Sequence, residues 1–150
     1  MVRGFLLILA FVLTPPLAAK AESVQQTLRQ YGMLGTFADD CSKPAAKNNF
    51  YTVYAPMPNG HVRRTYYNAP GKIYNQYVLE HVNRISSDQL FYQQKGSAGR
   101  ISIVLKVVGN RYHVLSSQNE NGKAYVQDGK FTSNTSSPGQ ESPWQTKCHD

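Results

Sequence analysis

The order of apolar and polar positions divides the chain into three regimes. Phe5 to Leu13 is an unbroken apolar run. From Ser23 the spacing becomes helical: Val24, Leu28 and Tyr31 recur at i, i+4 and i+7, and Ser23 with Gln26 has the spacing of a capping box. This predicts a short amphipathic helix that Gly32 and Gly35 end, because glycine adopts the left-handed cap without steric cost. Beyond Gly35 the period falls to two and turn residues punctuate the chain. The predicted strands are Thr36 to Cys41, Phe50 to Pro56, His61 to Asn68, Lys72 to Ser86, Gln89 to Lys95, Arg100 to Val108, Arg111 to Ser117 and Lys123 to Gln127. Short turns such as Asn59-Gly60, Ala69-Pro70-Gly71, Ser87-Asp88, Gly109-Asn110 and Asn121-Gly122 join most of them. Strands joined this tightly are antiparallel neighbours, and a run of about eight is best rid of its two edges by pairing them. The expected fold is mainly β, an eight-stranded antiparallel up-and-down barrel with a short N-terminal helix, an open sheet being the alternative.

Two hairpins allow an inner face to be named. With Asn59-Gly60 as a two-residue turn, Val53 opposes Tyr66, Ala55 opposes Arg64 and Met57 opposes Val62, which places Tyr51, Val53, Ala55, Met57, Val62, Arg64 and Tyr66 on one face. Gly109-Asn110 likewise pairs Val107 with Tyr112 and Leu105 with Val114, giving an inner row of Ile101, Ile103, Leu105, Val107, Tyr112 and Val114. The long strand from Lys72 to Ser86 does not alternate cleanly, so a bulge or bend is expected there. Tyr51, Val53, Arg64, Tyr66, Leu105 and Tyr112 are the candidate ligand-lining residues. Arg64 carries the chemistry. Turned inward beside tyrosines, an unpaired guanidinium is costly to bury and calls for an anion, an internal carboxylate or water; the alternative is a place at the rim, where the side chain reaches solvent.

The N-terminal regime bears on compartment. Arg3 precedes the apolar run, Pro15 and Pro16 follow it, and Ala19-Lys20-Ala21 fits a small-residue cleavage site. Residues 1–21 read as a cleaved signal peptide, because nine apolar residues are too few for the roughly 20 of a membrane span. Residues 22–150 then form a single barrel domain, with the helix in 22–34, the strands in 36–127 and a C-terminal loop and anchor in 128–150. The expected location is the periplasm or the exterior, and the mature form has no expected membrane span. In an oxidising compartment Cys41 and Cys148 are expected to bridge; two unpaired thiols are the alternative. Closing so long a loop is worth on the order of 4–5 kcal/mol in the chain-entropy picture.

Composition and motif spacing exclude several classes of function. Ten Tyr, six Phe and a 41% hydrophobic content are too much for a disordered chain. The formal charge of +7 comes from 16 Lys and Arg against 9 Asp and Glu, but the cations are scattered except at Arg63-Arg64, so nucleic acid is not an expected partner. His61, His81, His113 and His149 show no H-x-H or H-x-x-x-H pair, and no metal or cofactor is expected. Asp39 and Asp40, adjacent on a strand, face opposite ways and cannot share a substrate. No nucleophile elbow, phosphate loop or dinucleotide fingerprint occurs, so no catalytic residues are assigned and an enzyme is not expected.

The segment Gly35-Thr36-Phe37-Ala38-Asp39-Asp40-Cys41-Ser42-Lys43-Pro44 resembles a group of small exported bacterial proteins that carry G-x-W/F-x-x-D-C-S-x-P after a short helix. Gly122-Lys123-Ala124 followed by Asp128-Gly129, and Pro143-Trp144 followed by Cys148, extend the likeness over nearly all of the chain after residue 21. A short helix leading into G-x-W/F on a first strand is also similar to the calycin superfamily, the lipocalins and their relatives. That resemblance implies a barrel enclosing a small apolar ligand. Here Phe37 replaces the usual Trp, and Lys147 is nearest to the place of the last-strand Arg. The expected function is binding of a small apolar or amphipathic anionic molecule. The alternative is an envelope or inhibitor-type interaction module with a filled barrel, which meets a protein partner through the Ser133 to Pro143 loop or through Phe50, Tyr54 and Tyr67 on the outer wall.

Overall fold

A computed structural model describes residues 22–150; the predicted signal peptide lies outside them. The helix α1 spans Val24–Gln30, and the Ser23 side chain and the Gln26 side chain each accept from the other's backbone N–H, as the spacing predicts. At the other end Gly32, at φ +66°, donates to Arg29 O while Met33 donates to Leu28 O, the paired bonds of a glycine-terminated helix.

Ten strands follow: β1 Gly35–Ala38, β2 Tyr51–Pro56, β3 Val62–Ala69, β4 Lys72–Arg84, β5 Gln89–Gly96, β6 Gly99–Val108, β7 Arg111–Asn119, β8 Ala124–Gln127, β9 Lys130–Phe131 and β10 Gln145–His149. Strands β1 to β7 pair in sequence order, and β10 pairs with both β1 and β7. The result is a closed antiparallel barrel of eight strands. Its eighth member is β10, whereas the predicted eighth strand, Lys123 to Gln127, forms most of an appended β8–β9 hairpin. Strand β7 serves both: Arg111 and Tyr112 pair with β10, Ser117 and Gln118 with β8. Between them a register shift leaves Leu115 without a partner on β6, its carbonyl accepting from Gly129 N–H at 2.8 Å instead, and Ser142 fills the fork by donating its hydroxyl to Val114 O at 2.6 Å. Strand β1 is also shorter than predicted, since the chain leaves the sheet after Ala38.

Cys41 and Cys148 are disulfide-bonded, with Cα atoms 5.3 Å apart. The bond ties the loop after β1 to β10, the strand that closes the ring. A barrel with a disulfide is compatible with an exported protein. Among the described residues no helix is long and apolar enough to cross a membrane.

Helix α1 covers one end of the barrel. The Gln25 side-chain amide donates to the carbonyls of Met57 and His61, and the Tyr31 hydroxyl donates to Ser86 O, so the helix is held by the β2–β3 and β4–β5 turns. Beneath it Leu28, Met33, Phe37, Leu79, Leu90 and Leu105 are each at most 1% exposed and form one cluster. The expected irregularity of β4 is present. Register shifts leave Tyr74 and Glu80 without cross-strand partners, and the second shift brings Val82 onto the inner face with Leu79.

Candidate ligand site inside the barrel

The β2–β3 hairpin decides which side chains reach the interior. Pro58 has no N–H to complete the inner bond of an Asn59-Gly60 two-residue turn. The hairpin closes one residue earlier instead, Met57 N donating to His61 O at 2.9 Å around a three-residue loop in which Gly60 takes φ +84°. The register then pairs Tyr54 with Arg64 and Thr52 with Tyr66. A slip of one residue moves a whole strand to the other face. Tyr51, Val53, Ala55 and Met57 are therefore not on the face of Arg64, contrary to the two-residue turn, and Thr52 and Tyr54 take their place at 1% exposure. Val62, Arg64 and Tyr66 face inward as expected.

The β6–β7 hairpin follows its prediction. Val107 pairs with Tyr112 and Leu105 with Val114, and Gly109, at φ +59°, supplies the left-handed first position of the two-residue turn.

Arg64 is 3% exposed at the centre of the barrel. Its guanidinium carbon lies 4.5 Å from the ring centroid of Tyr66, 5.3 Å from that of Tyr54 and 5.8 Å from that of Tyr92. Nη1 donates to Tyr92 Oη at 2.6 Å and to Gln94 Oε1 at 3.1 Å. The Tyr92 and Tyr54 hydroxyl oxygens are 3.2 Å apart. The ion pairs among the described residues are Lys43–Asp40, Arg100–Glu80, Lys106–Asp88 and Lys147–Asp150, so none reaches Arg64. Nor do the tyrosines neutralise it. Burial pushes the hydroxyls of Tyr54, Tyr66 and Tyr92 upward, that of Tyr92 to about 12, although the Arg64 charge pulls the other way. At neutral pH they are phenols and act as donors.

Counting donors against acceptors shows what is missing. Whichever of the Tyr54 and Tyr92 hydroxyls donates to the other, one phenolic hydrogen of the pair remains without an acceptor. Arg64 Nε and Tyr112 Oη are buried and have no partner at all. The amide oxygen bonded to the cluster, Gln94 Oε1, is already used, and two further buried amide oxygens, Asn68 Oδ1 and Gln145 Oε1, have no hydrogen-bond partner. The cluster bonded around Arg64 thus holds a fixed positive charge and more donors than acceptors. Burying an uncompensated guanidinium costs several kcal/mol, and ring faces return about 0.5–2 kcal/mol each.

Of the six predicted lining residues, Arg64 and Tyr66 meet directly, and Tyr112 and Leu105 face inward at 1% and 0% exposure. Tyr51 and Val53 belong to the outer side; the Tyr51 hydroxyl donates to Lys43 O at 2.6 Å. Tyr92 and Gln94, to which the sequence did not point, and Tyr54, which it placed on the outer wall and which is 1% exposed inside the barrel, make up most of the cluster. The missed signal for Tyr54 is Pro58. For Tyr92 and Gln94 it is the alternation with Phe91 and Gln93, in which no one face is clearly apolar.

Elsewhere the chemistry is modest. His113 lies on the outer wall, stacked 4.2 Å from Trp144, and no group of metal-binding residues occurs among the described ones. Asp40 caps its own turn through Ser42 and Lys43. Surface grooves of about 340 and 560 Å³ adjoin the Glu80 bulge, and neither is lined by Arg64. The chain matches no family model, no curated protein and no solved structure.

Proposed function

We propose that the protein is an exported binding protein whose barrel receives the anionic end of a small amphipathic molecule at Arg64. The supporting observation is the buried guanidinium with no carboxylate partner, surrounded by phenolic donors that lack acceptors. A carboxylate supplies four lone-pair sites and the opposite charge, so it answers both deficits at once. The aliphatic part would lie toward the uncovered end, past Tyr66, Tyr77 and Ile101, which are half-buried. Side chains fill the helix-covered half, so the molecule is short and binding requires Tyr66 or Tyr77 to move aside. Leu105 then acts as floor rather than as contact.

The test is calorimetric titration with octanoate and decanoate. Arg64→Met should weaken binding by about 1.5–3 kcal/mol, the range of a charge-assisted hydrogen bond, and the exposed Arg63→Met should leave it unchanged. No binding by the parent, or equal loss in both variants, overturns the proposal. The filled lower interior favours a second reading, a protein-interaction module, which then takes first place.

A further inference from the structure

The stretch from Cys41 to Leu79 contains no Asp or Glu, while it holds Lys43, Lys47, Arg63, Arg64 and Lys72. It builds β2, β3 and the first half of β4, one side of the wall together with the rim farthest from α1. Lys43 is paired with Asp40, and Arg64 points inward. Lys47, Arg63 and Lys72 are left on the exposed side and take part in none of the ion pairs among the described residues.

The same rim carries the largest apolar exposure. Ile73 is 53% and Tyr74 64% exposed, and they follow Lys72 directly at the β3–β4 turn. The register of β4 passes from Asn75 to Ile73, so Tyr74 is bulged out with no cross-strand partner. Phe50, just before β2, meets the Tyr74 ring edge-on at 5.3 Å. A single exposed apolar residue needs no explanation. A bulge that displays Tyr and Ile together, braced by Phe and flanked by lysines on a wall without carboxylates, has the composition of an interfacial anchor. A soluble protein partner would match the aromatic tip equally well, but the charge decides between them: an anionic headgroup layer attracts each nearby cation, by about fivefold in partition per residue, and the acid of the adjoining loop, Asp40, is already paired with Lys43.

We propose that the rim formed by Phe50, Ile73 and Tyr74, with Lys47 and Lys72 beside it, docks reversibly on an anionic phospholipid surface and turns the uncovered end of the barrel toward the membrane. The two weak signals, a small apolar insertion and a few cations, are each insufficient alone. This inference does not require that Arg64 hold a ligand.

Co-sedimentation with vesicles tests it. Purified protein should bind vesicles of phosphatidylglycerol and phosphatidylcholine in equal parts at least tenfold more tightly than phosphatidylcholine alone. The Ile73→Ser/Tyr74→Ser variant should lose tenfold or more on the mixed vesicles. Lys47→Gln/Lys72→Gln should lose about twenty-five-fold at low salt and be unchanged on phosphatidylcholine. Ile85→Ser/Val108→Ser removes the two exposed apolar residues near the helix end and should change nothing. Arg64→Met should also bind vesicles like the parent, which separates failure here from failure of the ligand reading. Absence of binding to the mixed vesicles, equal affinity for both compositions, or equal loss from the helix-end variant overturns the proposal. All four sites in the rim and helix-end variants are exposed, and matched circular dichroism spectra establish that folding is intact.

Discussion

Beneath α1, the side chains of Leu28, Met33, Leu79, Leu90 and Leu105 meet without a charged group among them. Half a barrel away, Arg64, Gln94 and the hydroxyls of Tyr54 and Tyr92 share one connected polar cluster. Both regions are almost fully buried, so burial does not distinguish them. Satisfaction does. The first region has no polar side-chain atom to leave unpaired, while the second keeps a buried charge whose Nε, like the hydroxyl of neighbouring Tyr112, has no partner. A fold under no other demand would fill the second region as it fills the first, because well-packed apolar residues usually equal or exceed a buried charge in stability. The contrast separates a lower half that holds the protein together from a central cluster that carries a cost in stability.

The largest expected effect lies at the floor between the two. Phe37 packs edge-on against both Tyr54 and Tyr112, at 5.9 and 5.1 Å, and Phe37→Ala should destabilise by about 3–5 kcal/mol, read from the urea midpoint. A loss no greater than that of a surface substitution would mean that the floor is not structural. Next is the staple at the ring closure. Cys41→Ala/Cys148→Ala should cost about 2–5 kcal/mol, and an unchanged melting temperature would show that β10 is held by pairing alone. Arg64→Met sharpens the comparison in the opposite direction: it should be neutral or stabilise by about 1–2 kcal/mol, whereas Leu90→Ala on the helix side should cost about 2–5 kcal/mol. A loss of similar size at both sites would make Arg64 a structural residue.

The smallest effect is a matter of pH. Tyr54, Tyr66 and Tyr92 are held neutral by burial, so their folded pKa values stand above the ordinary 10.0. A raised pKa contributes stability that is intact below about pH 10 and is lost as pH rises, through about 12 in the case of Tyr92. Absorbance of tyrosinate should therefore show these three ionising late, together with unfolding. A single wave including all ten tyrosines would remove the sealed cluster.

How far the chain could be read in advance depended on individual residues. Gly109 fixed the β6–β7 register unaided, because a glycine at the first central position suits a tight hairpin and no neighbour contradicts it. At the β2–β3 turn Asn59-Gly60 gave the same signal, and Pro58 silently vetoed it by lacking a donor. That one missing N–H reversed β2 and hid Tyr54, the residue that links the cation to the aromatic floor. Strand β10 escaped notice for another reason. Gln145 to His149 is a short polar run whose strand character comes from two neighbours distant in sequence, and no local pattern encodes that. The cation survived the register error because β3 was turned inward in either register.

Closure through β10 also sets an order of events. The ring needs β1 and β10, and the bridging cysteines on either side of that seam are 107 positions apart. The seven other wall strands form no closed ring until the eighth docks. Until then β1 and β7 are open edges, competent to pair with any other extended chain. Contacts this remote in sequence also form slowly. A chain shortened before β10 would therefore keep both margins of the sheet open.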